Sequence, residues 1–419
     1  MIIVSELSTF KQDPHSNSQY FPFKVDELVS IDCCGISTVM YQTKTALYIG
    51  RYSPCKLKNF KITLLLRLTP SYFVKKVVGG WHHTFILMSN GEILGFGENK
   101  FGQISIEDRE CYESLRLVPS STFGGEKVRD IVCGALHTMV LTESGAIFAC
   151  GNNEFNQIEY VPKEDPNVPM VSCFKLVKVR KHWNDEVPNE NGGKDLKIVK
   201  LVAGAFHTVF LTENGIVYGV GKENLGKQYP HFAPLEPFCS GASSTNIDMA
   251  FPISANKFVT NVWCGFKSTF VQTIEDEIYV CASEGFYMEH FFNKDKDISF
   301  GFERCEFLSG KKIREMVGFK KGMIAISESR DVFVSGWNVC KQLSVHAPFD
   351  IVLPQYEPFL TTKLKENPML DYTITCNEWS CSLYFSRYDR RTRNESDFFE
   401  KCKMSLDNYF SDIELLVND

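Results

Sequence analysis

Three histidines stand at matching places in this sequence. His83, His137 and His207 each lie three residues after a glycine anchor, Gly80, Gly134 and Gly204. Each precedes a threonine: Thr84, Thr138 and Thr208. On repeated units, such histidines could line a channel and bind a metal. They could instead be buried structural residues, each hydrogen-bonded within its own unit. The second reading fits better, because Thr38, Ser268 and Ser380 occupy the same place elsewhere. A small hydrogen-bonding group there suffices.

The other chemistry-bearing residues follow the same spacing. Cys34, Cys133, Cys264 and Cys376 directly precede an anchor, where other units carry Gly79, Ala203 or Val317. Cysteine here behaves as a small apolar packing residue. None of the 15 cysteines forms a CxxC pair, whereas a zinc site needs closely spaced ligands. The run Gly221-Lys222-Glu223-Asn224-Leu225-Gly226-Lys227 spells most of a phosphate loop. However, Gln228 replaces the Ser or Thr that would hold Mg²⁺. Gly95-Phe96-Gly97 fails as a dinucleotide fingerprint, since its glycines belong to the repeat. No Ser-His-Asp set, HExxH or nucleophile elbow occurs. No catalytic residue, metal or cofactor is therefore expected.

Two basic clusters are candidates for partner contacts. Lys175, Lys178, Arg180 and Lys181 lie beside Trp183, and Arg387, Arg390, Arg391 and Arg393 lie near the end. Solvated loop charge is their commoner role.

The elements that position these residues are repeats. The first clear copy carries Gly80, His83, Gly91, Gly97 and Gln103. The second carries Gly134, His137, Gly145, Gly151 and Gln157, and the third Gly204, His207, Gly215, Gly221 and Gln228. Looser copies place further anchors at residues 35, 265, 318 and 377, with the copy at 318 one residue longer. Alternating apolar residues flank a Ser-Asn-Gly or Glu-Ser-Gly turn, the pattern of a β-hairpin. A hairpin cannot bury its face alone, so the units must pack on one another. Seven anchors predict an all-β, seven-bladed propeller with a short C-terminal helical segment.

Composition agrees with a globular chain: 44% of the 419 residues are hydrophobic and 23% are charged. The net charge of −6 lacks the positive excess of a dedicated nucleic-acid binder. No run reaches the roughly 20 apolar residues that span a bilayer, and the start has no basic signal region. A cytoplasmic or nuclear protein with reduced thiols is expected, with no membrane partner.

The Gly-x-x-His-Thr pattern, followed by Leu-Thr-x-x-Gly and a glycine–glutamine ending, resembles the repeat of the regulator of chromosome condensation. That resemblance implies a seven-bladed propeller over residues 28–386. The last unit lacks a glycine–glutamine ending, while residues 1–27 hold apolar segments. Residues 1–27 are thus expected to close the ring by pairing with the strands of residues 373–385. Residues 387–419 read as a basic linker, then an amphipathic helix, then Phe410-Ser411-Asp412 and an apolar strand. That tail is similar to the entry of a BTB/POZ domain. The resemblance implies a non-enzymatic scaffold for protein partners, and through BTB/POZ the substrate-holding part of a cullin ubiquitin ligase adaptor. The alternative it implies is guanine nucleotide exchange on a Ran-like small GTPase.

Overall fold

The computed structural model describes residues 28–34, 38–51, 61–105, 110–158, 170–177, 179, 194–221, 229–235, 257–282, 302–319, 322–337, 350–366, 371–376 and 381–386. These residues form six four-stranded antiparallel sheets and one two-stranded sheet, each built from consecutive strands. The first sheet holds β1 (Leu28–Cys34), β2 (Thr38–Thr43), β3 (Ala46–Arg51) and β4 (Lys61–Arg67). The second holds β5 (Val74–Gly79), β6 (His83–Met88), β7 (Ile93–Gly97) and β8 (Tyr112–Val118). The third holds β9 (Val128–Cys133), β10 (His137–Thr142), β11 (Ile147–Asn152) and β12 (Met170–Leu176). The fourth holds β13 (Ile198–Ala203), β14 (His207–Thr212), β15 (Val217–Gly221) and β16 (Tyr229–Pro234). The fifth holds β17 (Val259–Cys264), β18 (Ser268–Thr273), β19 (Ile278–Ala282) and β20 (Glu303–Arg304). The sixth holds β21 (Ile313–Phe319), β22 (Gly322–Ser327), β23 (Val332–Trp337) and β24 (Asp350–Tyr356). The two-stranded sheet holds β25 (Asp371–Cys376) and β26 (Cys381–Ser386).

The second strand of each sheet from the second to the sixth is buried along its whole length. A strand buried on both faces reads as an apolar run, as Phe85-Ile86-Leu87-Met88 does. The apolar clusters lie between sheets rather than within them. One joins Met139 and Ile147 of the third sheet to Leu201 and Phe210 of the fourth. Another joins Phe270 and Val280 of the fifth to Met316 and Ala325 of the sixth. Each unit completes its neighbour's core, which is why the repeats stand together.

The first strands run in a ring. β1 touches β5, β5 touches β9, and contacts continue through β13, β17, β21 and β25 back to β1 and β26. The pairing expected of residues 1–27 lies outside the described residues. Among those described, packing of β1 on β25 and β26 joins the first sheet to the two-stranded sheet.

In the second to sixth sheets the hairpin turns place a left-handed residue eleven positions after the anchor place. Gly91, Gly145 and Gly215 supply it with φ of 86°, 88° and 77°. In the fifth and sixth sheets Asp276 and Arg330 adopt φ of 59° and 64° instead. The helical segment expected at residues 397–409 lies outside the described residues. The α-helix that is described, α1 (Pro358–Glu366), stands elsewhere. Its Leu360 and Leu364 pack on Ile324 and Val334 of the sixth sheet. Proline at the first helical position and leucines four apart were its sequence signals.

Candidate functional site

The anchor motif brings consecutive sheets together. His83, His137 and His207 are all buried. Their bonds do not stay within their own sheets, as expected from sequence, but reach the next one. His83 Nε2 lies 3.0 Å from Thr138 Oγ1, His137 Nε2 3.0 Å from Thr208 Oγ1, and His207 Nε2 2.9 Å from Thr269 Oγ1. Thr138 donates its hydroxyl to the Gln103 carbonyl at 2.8 Å, and Thr208 to that of Gln157 at 3.2 Å. A hydroxyl has one proton, so His83 and His137 must donate from Nε2. Both rings are neutral Nε2–H tautomers, and their Nδ1 atoms have no hydrogen-bond partner among the described residues. Burial pushes all three histidines down to about 3. No group of three metal-ligating side chains occurs among the described residues.

The Nδ1 edge of each ring lies against its anchor glycine. A Cβ on Gly80, Gly134 or Gly204 would strike both that ring and the carbonyl of the next sheet's anchor. The backbone is tied at the same level. Trp81 N–H donates to Ala135 O at 2.9 Å, Ala135 N–H to Ala205 O at 3.0 Å, and Ala205 N–H to Phe266 O at 2.8 Å. Gln103 and Gln157 shape the loops after the third strands, accepting from Phe101 N–H and Phe155 N–H at 2.9 Å each. Gln228 lies outside the described residues. Cys133 and Cys264 bear thiols that burial pushes up to about 12, the environment of an unreactive packing residue.

Two further sheets depart from the motif. Ser268 takes the histidine place in the fifth, yet its buried Oγ finds no partner among the described residues. The small polar group expected to suffice is too short to cross. In the sixth sheet, Gly322 pairs with Gly336 just as His83 pairs with Gly97, and Phe319 pairs with Gly322. The anchor place therefore belongs to Phe319, not to Gly318, and this removes the extra residue in that copy. The ring and the glycine have exchanged positions: Phe319 lies over Gly322, where a Cβ would strike its ring.

Sequence reasoning missed an aromatic cluster formed by three loops after the anchors and one loop after a third strand. Trp81 stacks on Phe266 with centroids 6.0 Å apart and planes at 16°, although they belong to the second and fifth sheets. Phe206 packs edge-on against Trp81 at 5.9 Å, and Phe155 against Phe206 at 5.1 Å. All four rings are half-buried. For Trp81, Phe206 and Phe266 the sequence signal was an aromatic within two residues of an anchor glycine. Lys175 is exposed on the outer strand β12, away from these inner loops. Lys178, Arg180, Lys181 and Trp183 lie outside the described residues, as do Arg387, Arg390, Arg391 and Arg393.

Sheets tied edge to edge around one ring define a repeat-built β-propeller. The regulator of chromosome condensation (RCC1) repeat family matches residues 74–103, 128–157 and 198–227, and a second description of that repeat matches 90–141. The chain carries RCC1 repeats and folds as an RCC1-type propeller. The solved structure of human WBSCR16 superimposes with a TM-score of 0.63 at 15% identity, covering 90% of this chain and 93% of that one. Prp20p from Saccharomyces cerevisiae, described with its binding to Gsp1p and histones, superimposes at 0.61 with 13% identity, covering 92% and 86%. Among curated relatives, the ultraviolet-B receptor UVR8 of Arabidopsis thaliana is 25% identical over 212 residues, 49% of this chain and 40% of the receptor. The secretion-regulating guanine nucleotide exchange factor of Bos taurus is 26% identical over 157 residues, 37% and 30%. The probable E3 ubiquitin-protein ligase HERC4 of Homo sapiens is 28% identical over 241 residues, 57% and 19%. The chain thus spans less than half the length of these curated relatives. No helix among the described residues is long and apolar enough to cross a membrane.

Proposed function

We propose that this chain is a non-enzymatic, seven-bladed scaffold that holds a protein partner on the loops after its anchors. One observation carries the reading. The repeated side chains are consumed in tying sheets together, while Trp81, Phe206 and Phe266 gather half-buried on the loops after the anchors, with Phe155 from a loop after a third strand packed against Phe206. Rigid aromatic side chains on a fixed frame are the usual anchors of protein interfaces. We assign a second contact to the basic stretch of Lys175, Lys178, Arg180, Lys181 and Trp183. Within this class, the likeness to HERC4 supports a substrate-holding part of a ubiquitin ligase in the cytoplasm or nucleus. The reading of residues 397–417 as a BTB/POZ entry would make that ligase cullin-based. The likeness to the secretion-regulating exchange factor supports the second reading, nucleotide exchange on a Ran-like GTPase.

The test is purification of the intact chain with its bound proteins, beside a Trp81→Ala/Phe266→Ala variant. A partner lost from the folded variant and kept by Lys175→Ala is expected. Equal recovery by both would refute the aromatic surface. Nucleotide release from a Ran-like GTPase, stimulated by catalytic amounts of the chain, would move the assignment to exchange.

A further inference from the structure

The inner strands also carry three cations that make no ion pair among the described residues. Four and five residues before the anchor places of the second to sixth sheets, these strands bulge, with register shifts at Val74/Lys76, Val128/Asp130, Ile198/Lys200, Val259/Asn261 and Ile313/Glu315. Side chains at the bulge reach the neighbouring inner strand. In the second sheet these are Lys75 and Lys76, in the third Arg129 and Asp130, and in the fourth Lys200.

Lys76 is matched: its Nζ lies 2.7 Å from Asp130 Oδ1. Its three basic neighbours are not. Lys75 Nζ donates to the Arg129 carbonyl at 3.0 Å, and Arg129 Nη2 donates to the Ile198 carbonyl. Lys200 Nζ donates to the Asn261 amide oxygen at 2.6 Å and lies 4.8 Å from the centre of the Trp263 ring. None of these three cations makes an ion pair among the described residues. A carbonyl or amide orients a cation but does not neutralise it. Burial and the Lys76 charge hold the Lys200 ammonium down to about 8, against the pull of Glu315 and Asp130. The contacts of the Lys200 ammonium lie with the fifth sheet, at Asn261 and Trp263. In a chain of net charge −6, three unmatched cations on consecutive inner strands are a local excess.

Lys75 is exposed, and Arg129 and Lys200 are half-buried. Arg129 also borders a cavity of about 280 Å³ between the third and fourth sheets. Lys194 and Lys197 of that cavity are each paired, with Glu126 and Glu213. One guanidinium fork and two ammoniums, on three strands round one axis, suit several oxygens pointing different ways. A single carboxylate would satisfy one of them. We propose that Lys75, Arg129 and Lys200 form a binding site for a compact polyvalent anion bearing phosphate groups, at the inner strands of the second to fourth sheets.

The test is calorimetric titration of the full chain with sodium triphosphate, at constant ionic strength, against sodium sulfate and polyglutamate. Triphosphate should bind with one site. Lys75→Gln and Lys200→Gln should each weaken it about tenfold, the scale of one charge-assisted hydrogen bond. Lys200→Arg, which keeps the charge, should retain it. Melting curves identify any variant that fails to fold. Lys75 is exposed, so K75Q decides if K200Q does not fold. No binding by the folded chain, or equal binding by K75Q, overturns the site. Polyglutamate binding more tightly than triphosphate overturns the phosphate assignment and points to an acidic peptide.

Discussion

The arc from the second to the fifth sheet and the junction between the fifth and sixth solve one problem in two ways. Inner strands must approach closely at every junction. Along the arc, a glycine gives room, a histidine fills it, and the ring reaches a threonine on the next strand. At the fifth-to-sixth junction, Ser268 makes no such tie. Gly265 and Gly318 face each other directly, and Phe319 fills its own sheet's space over Gly322. Specific hydrogen bonding leaves a legible motif, whereas close packing can be met by several residue sets.

The largest effect should come from Gly134→Val. Its side chain would meet the His137 ring and the Gly204 backbone, neither of which can yield cheaply. We expect loss of more than about 4 kcal/mol, or no cooperative melting transition at all. A near-native melting temperature would mean that the anchors have slack.

Next is the exchanged pair. Phe319→Gly alone should cost about 3–5 kcal/mol, by emptying a buried aromatic site. Adding Gly322→His should recover part of that loss, because it rebuilds the arrangement of the arc. Strict additivity in a double-mutant cycle would show that the two positions are not one unit.

Acid should weaken the arc selectively. The histidines fall to about 3 in the fold from an ordinary value of 6.5. The unfolded chain therefore binds more protons between these values, and stability drops as pH falls through 6.5 toward 3. At pH 5 each histidine should cost about 2 kcal/mol relative to neutral pH. A His83→Gln/His137→Gln/His207→Gln variant should show a flatter profile. If its melting temperature falls in parallel with that of the parent chain between pH 7 and 5, the neutral tautomers are misassigned.

Single ties should matter less. Thr208→Val should lose about 1–3 kcal/mol by orphaning His137 Nε2–H. Ser268→Ala should change stability by under about 0.5 kcal/mol, since its hydroxyl is unmatched already. Chemical denaturation of both variants sharpens the contrast, and equal losses would dissolve it.

The repeat, the hairpins and the propeller class were legible because they rest on local rules. Alternation marks a strand, and a positive φ asks for glycine at Gly91, Gly145 and Gly215. Burial of His83, His137 and His207 followed from their spacing and from the residues replacing them. What they bond to did not, because Thr138, Thr208 and Thr269 lie 55, 71 and 62 residues further along. The anchor of the sixth sheet was misplaced by one residue for the same reason. Gly318 matched by residue type, but only strand register shows that Phe319 and Gly322 hold the two places. The meeting of Trp81 with Phe266 and the unmatched charge of Lys200 likewise arise only when the ring sets remote strands side by side. Local preference selects each strand and turn, but contact between units depends on curvature around the ring, which no single repeat encodes.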